Sequence, residues 1–168
     1  MDDWKFCPRC GSKGALEGSG DNPFFQCSAC GYTKYDNPLP TTIGLIERGD
    51  QVLLVQRGRE PQRGEWDAVG GFLTPGETAE QCMRREALEE IACELQGLRP
   101  LGTFASTYGT TGLQTIGIAF ICSIKPDAEI TLSDENTNWN WFSYHLLPEV
   151  AFADVREALL QRASQLHD

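Results

Sequence analysis

No apolar run in the 168 residues approaches the roughly 18 needed to span a bilayer, which argues against a membrane-spanning helix. Basic side chains are scarce. Lys and Arg total 14 against 24 Asp and Glu, a formal charge of −10 that repels a phosphate backbone at long range and argues against nucleic acid as the partner. The opening Met1-Asp2-Asp3-Trp4-Lys5 has neither the basic leader nor the apolar stretch of a secretory signal, so a cytoplasmic location is expected. Internal repeats and low-complexity tracts are absent, and a composition of 40% hydrophobic and 23% charged residues excludes collagen-like and fully disordered chains. What remains is a globular domain with length for an appendage.

Seven cysteines stand out in a chain expected to stay reduced. Cys7-Pro-Arg-Cys10 and Cys27-Ser-Ala-Cys30 are two Cys-x-x-Cys pairs with 16 residues between them, the spacing of a zinc ribbon. Zinc takes four thiolates in a tetrahedron, and a two-residue spacer lets one tight turn offer two of them. Gly11 and Gly31 follow the pairs, where a positive φ lets the backbone curl and aim N–H groups at sulfur. Cys82, Cys93 and Cys122 sit in apolar patterns and read as buried hydrophobes. Neither His145 nor His167 reads as a metal ligand.

Residues 1–36 are expected to form the ribbon and 37–168 a second domain, joined by a stiff Asp36-Asn37-Pro38-Leu39-Pro40 linker. Strands are predicted over 41–47, 51–57, 101–108, 114–124 and 139–143. Thr78 and Gln81 form a capping-box pattern that starts a helix over 79–91, and a last helix runs over 154–166 with Val155, Leu159 and Leu166 on one side.

The chemistry concentrates in the first helix. At 100° per residue Ala79, Met83, Ala87 and Ile91 form an apolar stripe, with Glu90 inside it, Glu86 at its edge and Glu89 just beyond. An ordinary amphipathic helix keeps carboxylates off its packing face. Glu86 and Glu90 are a like-charged i, i+4 pair whose cost rises with burial. Hard Mg2+ or Mn2+, which prefers carboxylate oxygens and keeps waters and phosphates as further ligands, is the economical compensation. The plainer alternative is a wet acidic face partnered by Arg84 and Arg85.

Gly71, Glu77, Arg85, Glu86, Glu89 and Glu90 fit Gly-x5-Glu-x7-Arg-Glu-U-x-Glu-Glu, with Ala87 at the apolar U position. This pattern resembles the Nudix box. Ala92 stands where the box has glycine, and Val69 where a proline is frequent. The resemblance implies an α/β/α sandwich around a mixed sheet. It further implies Glu86, Glu89, Glu90 and the Gly70 carbonyl as ligands of Mg2+ or Mn2+, with Arg85 and Glu77 orienting them. The implied reaction is attack of a metal-activated water on the phosphorus of a nucleoside diphosphate linked to another group. Glu89 ranks slightly ahead of Glu135 as the base, because Asn138 occupies a position often acidic in the family's downstream loop.

A zinc ribbon before such a domain resembles the branches that act on NADH and on FAD or ADP-ribose. Phe6–Ser12 and Tyr35–Pro38 are similar to the second, while Gly102–Tyr108 replaces a proline-rich stretch of the first. FAD or ADP-ribose is therefore the favoured substrate. Arg57, Arg59 and Arg63 are candidates to hold phosphates, and Trp66, Phe72 and Tyr108 to stack on a base. A homodimer in which Trp4, Phe24, Phe25 and Tyr32 cover an apolar contact is a further expectation. Two other readings stay open: a nucleotide sensor without catalysis, and a nucleic-acid-binding ribbon. Four basic and five acidic residues over 1–36 leave that ribbon no basic patch.

Overall fold

Both glycines after the cysteine pairs adopt left-handed backbone in the computed structural model, which describes residues 5–17 and 24–166. Gly11 has φ 73° and Gly31 φ 71°. Each turn closes on the first cysteine of its pair, Gly11 N–H to Cys7 O at 2.9 Å and Gly31 N–H to Cys27 O at 2.8 Å. Three short antiparallel strands, β1 (Ala15–Glu17), β2 (Phe24–Gln26) and β3 (Thr33–Tyr35), complete a compact unit, Met1–Pro38. Phe25 is fully buried beside Cys7, Cys27 and Tyr32, its ring lying over Gly14 where no Cβ fits. Phe25 is therefore core and cannot cover a dimer contact as expected from the sequence. Trp4 and His167 lie outside the described residues.

The second unit, Leu39–Asp168, is built on strand pairing that alternates inward faces. β4 (Leu39–Arg48) runs parallel to β8 (Gln114–Ser123), which pairs antiparallel with β7 (Gln96–Thr107). A turn joins β4 to β5 (Gln51–Arg57), which also carries β6 (Trp66–Asp67) and β9 (Asn136–Ser143), both antiparallel. Ile43, Leu45, Val52 and Leu54 point to one face, where Val155, Ala158 and Leu159 of α2 (Ala153–Leu166) cover them. Ile46, Leu53 and Val55 point to the other, against Met83, Ala87 and Ile91 of α1 (Ala79–Ile91). The result is the expected α/β/α arrangement around a mixed sheet. Cys82, Cys93 and Cys122 are buried in it, as expected.

Several boundaries differ from the sequence reading. Leu39 and Pro40 open β4, paired with Thr115 and Ile116, and do not belong to a linker. β7 starts already at Gln96 because register shifts at Gln96/Arg99 and Pro100/Gly102 each absorb an extra residue, the first around Gly97 and Leu98 and the second at Leu101, which breaks the alternation a strand normally shows. Leu166 is 41% exposed, so α2 packs through Val155, Ala158 and Leu159 instead. No helix among the described residues is long and apolar enough to cross a membrane.

The ends of α1 follow local chemistry. Thr78 Oγ1 accepts the Gln81 N–H at 3.3 Å, and Gln81 Oε1 accepts the Thr78 N–H at 2.8 Å, a complete capping box. At the other end Ala92 takes φ 55° and ψ 30°, the left-handed exit glycine adopts without strain. A side chain there costs about 1 kcal/mol. Ala92→Gly is accordingly expected to raise the unfolding free energy by about that amount in urea titrations without changing the slope of the transition.

Candidate active site and cysteine centre

The box loop reaches α1 through two glycines, each in close approach to another group. At Gly70 a Cβ would overlap the Thr42 carbonyl, and at Gly71 it would overlap the Glu86 carboxyl. Thr42 N–H to Gly71 O and Gly44 N–H to Val69 O, both 2.8 Å, hold that loop on β4. Gly44 in turn lets Met83 of α1 settle on the strand: a Cβ there would stand 2.6 Å from Met83 Cε.

Arg85 organises the carboxylates. Its Nε donates to Glu77 Oε1 at 2.8 Å and its Nη2 to Glu77 Oε2 and the Phe72 carbonyl, each at 3.1 Å. Its Nη1 donates to Glu86 at 2.7 Å and Glu89 at 2.8 Å. Hydrogen bonds from Arg85, then from Thr74, hold Glu77 down to about 2. Arg84 turns away and donates to the Leu95 carbonyl at 2.8 Å.

Glu90 is the exception. It is 8% exposed and among the described residues has no cation; Asn136 Nδ2 donates to it at 3.3 Å. Burial, then the charges of Asp67 and Glu86, push its carboxyl well above the usual range. Burial raises Glu86 as well.

These groups open onto a cavity of about 400 Å3. Glu86, Glu89, Glu90 and Glu135 line it with Gly70, Gly71 and Arg85, as do Phe72, Tyr108 and Phe152. Phe72 meets Tyr108 edge-on at 5.3 Å, and Tyr108 stacks on Phe152 at 5.2 Å. Arg59 lines the cavity and pairs with Glu135 at 2.7 Å. Arg57 also lines it, yet its donors are engaged: Nη1 to Asp67 at 2.9 Å, Nε to Pro61 O at 2.8 Å and Nη2 to Tyr108 OH at 3.4 Å. It lies over the Phe152 ring at 4.9 Å and acts as wall more than as a free phosphate clamp. Two expected residues are not brought to the cavity lining. Arg63 is exposed, and Trp66 packs on Phe142 at 4.9 Å beside the core.

The sequence reading missed Asp67, Ser106, Asn136, Phe152 and Asp154, all of which line the cavity. Asp67 offered a signal, a carboxylate inside the apolar Trp66–Val69 run. Desolvation pushes it up to about 6 against the pull of Arg57.

In the ribbon the four sulfurs lie within 4.8 Å of one another, with Cys7–Cys30 at 3.7 Å and Cys10–Cys27 at 3.6 Å. Tetrahedral Zn–S bonds of about 2.3 Å place sulfurs about 3.8 Å apart, so the set fits the ion. Ser12, through hydroxyl and then backbone hydrogen bonds, holds Cys10 down to about 6. Against the Tyr32 backbone bond, desolvation and neighbouring sulfurs push Cys30 up to about 12. Four thiolates this close cannot all ionise without a cation among them. No other set of metal-ligating atoms among the described residues is as tight. The glutamates stand further apart, two of them drawn onto Arg85.

A family profile described as NUDIX domain matches residues 38–162. The chain is 34% identical over 150 residues to "NAD-capped RNA hydrolase NudC" of Haemophilus influenzae, covering 87% of this chain and 54% of the relative. It is 32% identical over 152 residues to the protein of the same name from Vibrio cholerae, covering 88% and 52%. The chain thus spans about half the length of these curated relatives. The names of these relatives specify a capped RNA, so the exclusion of nucleic acid expected from charge finds no support in them. Among solved structures, a NUDIX hydrolase from Nitrosomonas europaea superposes with a TM-score of 0.76 at 26% identity, covering 97% of this chain and 92% of that one. The NUDIX domain of Shewanella oneidensis NrtR, complexed with ADP ribose, superposes at 0.65 with 21% identity over 77% and 89%, a likeness of fold. With the glycine loop, the capped helix and its carboxylates all inside the matched span, the chain belongs to the NUDIX family.

Proposed function

We propose that the chain is a divalent-metal-dependent hydrolase that cleaves the diphosphate linkage of a nucleoside diphosphate joined to a second moiety, such as FAD, ADP-ribose or a similar dinucleotide. The observation that carries this reading is Glu90, a carboxylate buried in the cavity beside Glu86 and Asp67 with no cation against it among the described residues. The donor set of Glu86, Glu89, Glu90 and the Gly70 carbonyl is all hard oxygen, which fits Mg2+ or Mn2+. Such an ion, when bound, neutralises the diphosphate and acidifies a water.

The chain's own residues do the rest. Arg85, anchored by Glu77 and Phe72 O, fixes the Glu86 and Glu89 carboxylates in direction. Glu89 and Glu135 are the carboxylates exposed enough to take the proton of the attacking water, with 59% and 47% of their side chains open. Arg59 is the cation free to turn from Glu135 toward substrate phosphate. The four cysteines hold Zn2+ as a structural ion. A cavity of about 400 Å3 falls in the range of small-molecule sites.

Incubation with FAD, NADH, ADP-ribose, diadenosine polyphosphates and nucleoside triphosphates tests the reading. Release of a nucleoside monophosphate from a dinucleotide or ADP-ribose, dependent on added Mg2+ or Mn2+, is the expected result. Failure to cleave any of them sinks it and returns the site to nucleotide sensing.

A further inference from the structure

The box glutamates do not account for every acid on the cavity. Asp154, 6% exposed in the first turn of α2, faces it with no ion-pair partner among the described residues. Its Oδ1 accepts the Val155 N–H at 3.0 Å, and the Asp154 N–H and the Ser106 hydroxyl also donate to the carboxyl. A carboxylate has roughly four acceptor sites, so these three donors leave capacity for one more from a ligand. Gly117 of β8 makes room for the group: a Cβ there would stand 2.9 Å from Asp154 Oδ2. Asp67 is already committed, to Arg57 and to the Ala68 N–H at 2.9 Å each.

Three constraints then define the occupant. It is flat, because Phe72, Tyr108 and Phe152, packed edge to face and face to face, line the cavity as an aromatic wall. It carries no negative charge there, because Asp154, without a cation partner among the described residues, repels one. It presents N–H donors, because an acceptor-only carboxylate that receives none on binding is left short of the water it loses.

Resting on the hydrolase reading above, we propose that Asp154 is a specificity-determining residue that selects a substrate ring bearing an amino or amide group and rejects the counterpart carrying oxygen there. Adenine and the nicotinamide ring meet that description; hypoxanthine and nicotinate, with an oxygen acceptor in the same place, do not. A site built to receive a hydrogen bond rejects a ligand lacking the donor by large factors, since the buried acceptor is then unpaired.

Equilibrium binding of mononucleotides tests this without turnover, because they contain no diphosphate linkage. Calorimetry compares AMP with IMP and nicotinamide mononucleotide with nicotinate mononucleotide, first on the wild type. In one pair the nitrogen-bearing member is expected to bind at least tenfold more tightly. Asp154→Asn, which turns one oxygen into a donor, is expected to abolish or reverse that preference. Phe152→Leu is expected to weaken both members of the pair together and keep their ratio. Equal affinities within both pairs on the wild type, or no binding of any of the four, overturn the inference whether or not the variants fold. So does a preference that Asp154→Asn leaves unchanged. Cleavage of FAD or ADP-ribose alongside such a negative result would leave the hydrolase reading standing; discrimination without cleavage would do the reverse.

Discussion

Replacing Glu90 by Gln is expected to lower turnover about a thousandfold or more while leaving the metal-free protein folded and no less stable. The first half follows from position. Glu90 is the most buried of the three candidate ligands, and a metal ion contributes several kcal/mol of charge stabilisation in such reactions, at about 1.4 kcal/mol for each factor of ten. The second half follows from its titration. Burial raises the Glu90 carboxyl above its unfolded value, so the folded chain binds the proton more tightly than the unfolded one. Its contribution to stability is therefore present at low pH and is lost as pH climbs from the ordinary carboxylate range through the raised folded value. At neutral pH the metal-free wild type carries that loss and the glutamine variant does not.

A sign inversion separates this from a merely structural glutamate. In metal-free buffer the variant is expected to melt at or above the wild-type temperature. In saturating Mg2+ the wild type gains RT ln(1 + [L]/Kd) and overtakes it. Melts with and without Mg2+, beside initial rates on the best dinucleotide, read both. Wild-type turnover by the variant would mean that Glu90 serves only its hydrogen bond with Asn136, which a glutamine side chain can also accept.

What was legible in the sequence was what depends on neighbours a few residues away. The capping box, the two glycine-exited cysteine turns and the α1 stripe are local patterns. Glu90 showed itself because a carboxylate inside an apolar stripe breaks the helical alternation. Asp154 did not, because an acid in the first turn of a helix is ordinary there and the groups that close on it, Gly117 of β8 and Ser106, are distant in the chain. Arg57 and Arg63 look alike on paper. Their fates differ because Asp67, paired through β6 to β5, captures the first, while the second is left exposed with no ion pair among the described residues. Trp66 follows the same logic: β9 places Phe142 where the ring can pack, and no local signal reveals that β5 carries a partner on that side. Carboxylate burial and arginine pairing are properties of the assembled sheet.

Removal of zinc is expected to unfold the N-terminal unit, with loss of the dispersed amide signals of residues 5–17 and 24–36, while those of α1 and β4 to β9 persist. A unit of this length seldom stands on its own core. Among the described residues Phe25, Cys7, Cys27 and the half-buried Tyr32 form its cluster, around strands of three residues each, and chains below about 40 residues usually need a metal or disulfide. Structural zinc supplies about 10–16 kcal/mol of binding free energy at neutral pH, which here becomes folding free energy. The second unit has separate buried clusters on both faces of its sheet and does not draw on that ion. Chelation with a zinc-selective agent, verified by metal analysis, followed by re-addition of one equivalent should erase and restore the signals. Cys27→Ser, at a sulfur only 1% exposed, should erase them irreversibly. A redox pair would behave otherwise: reductant would change the spectrum and zinc would not. Unchanged spectra after verified removal of the ion would mean that hydrogen bonds and Phe25 alone hold the two turns, and the cysteine centre would lose its structural role.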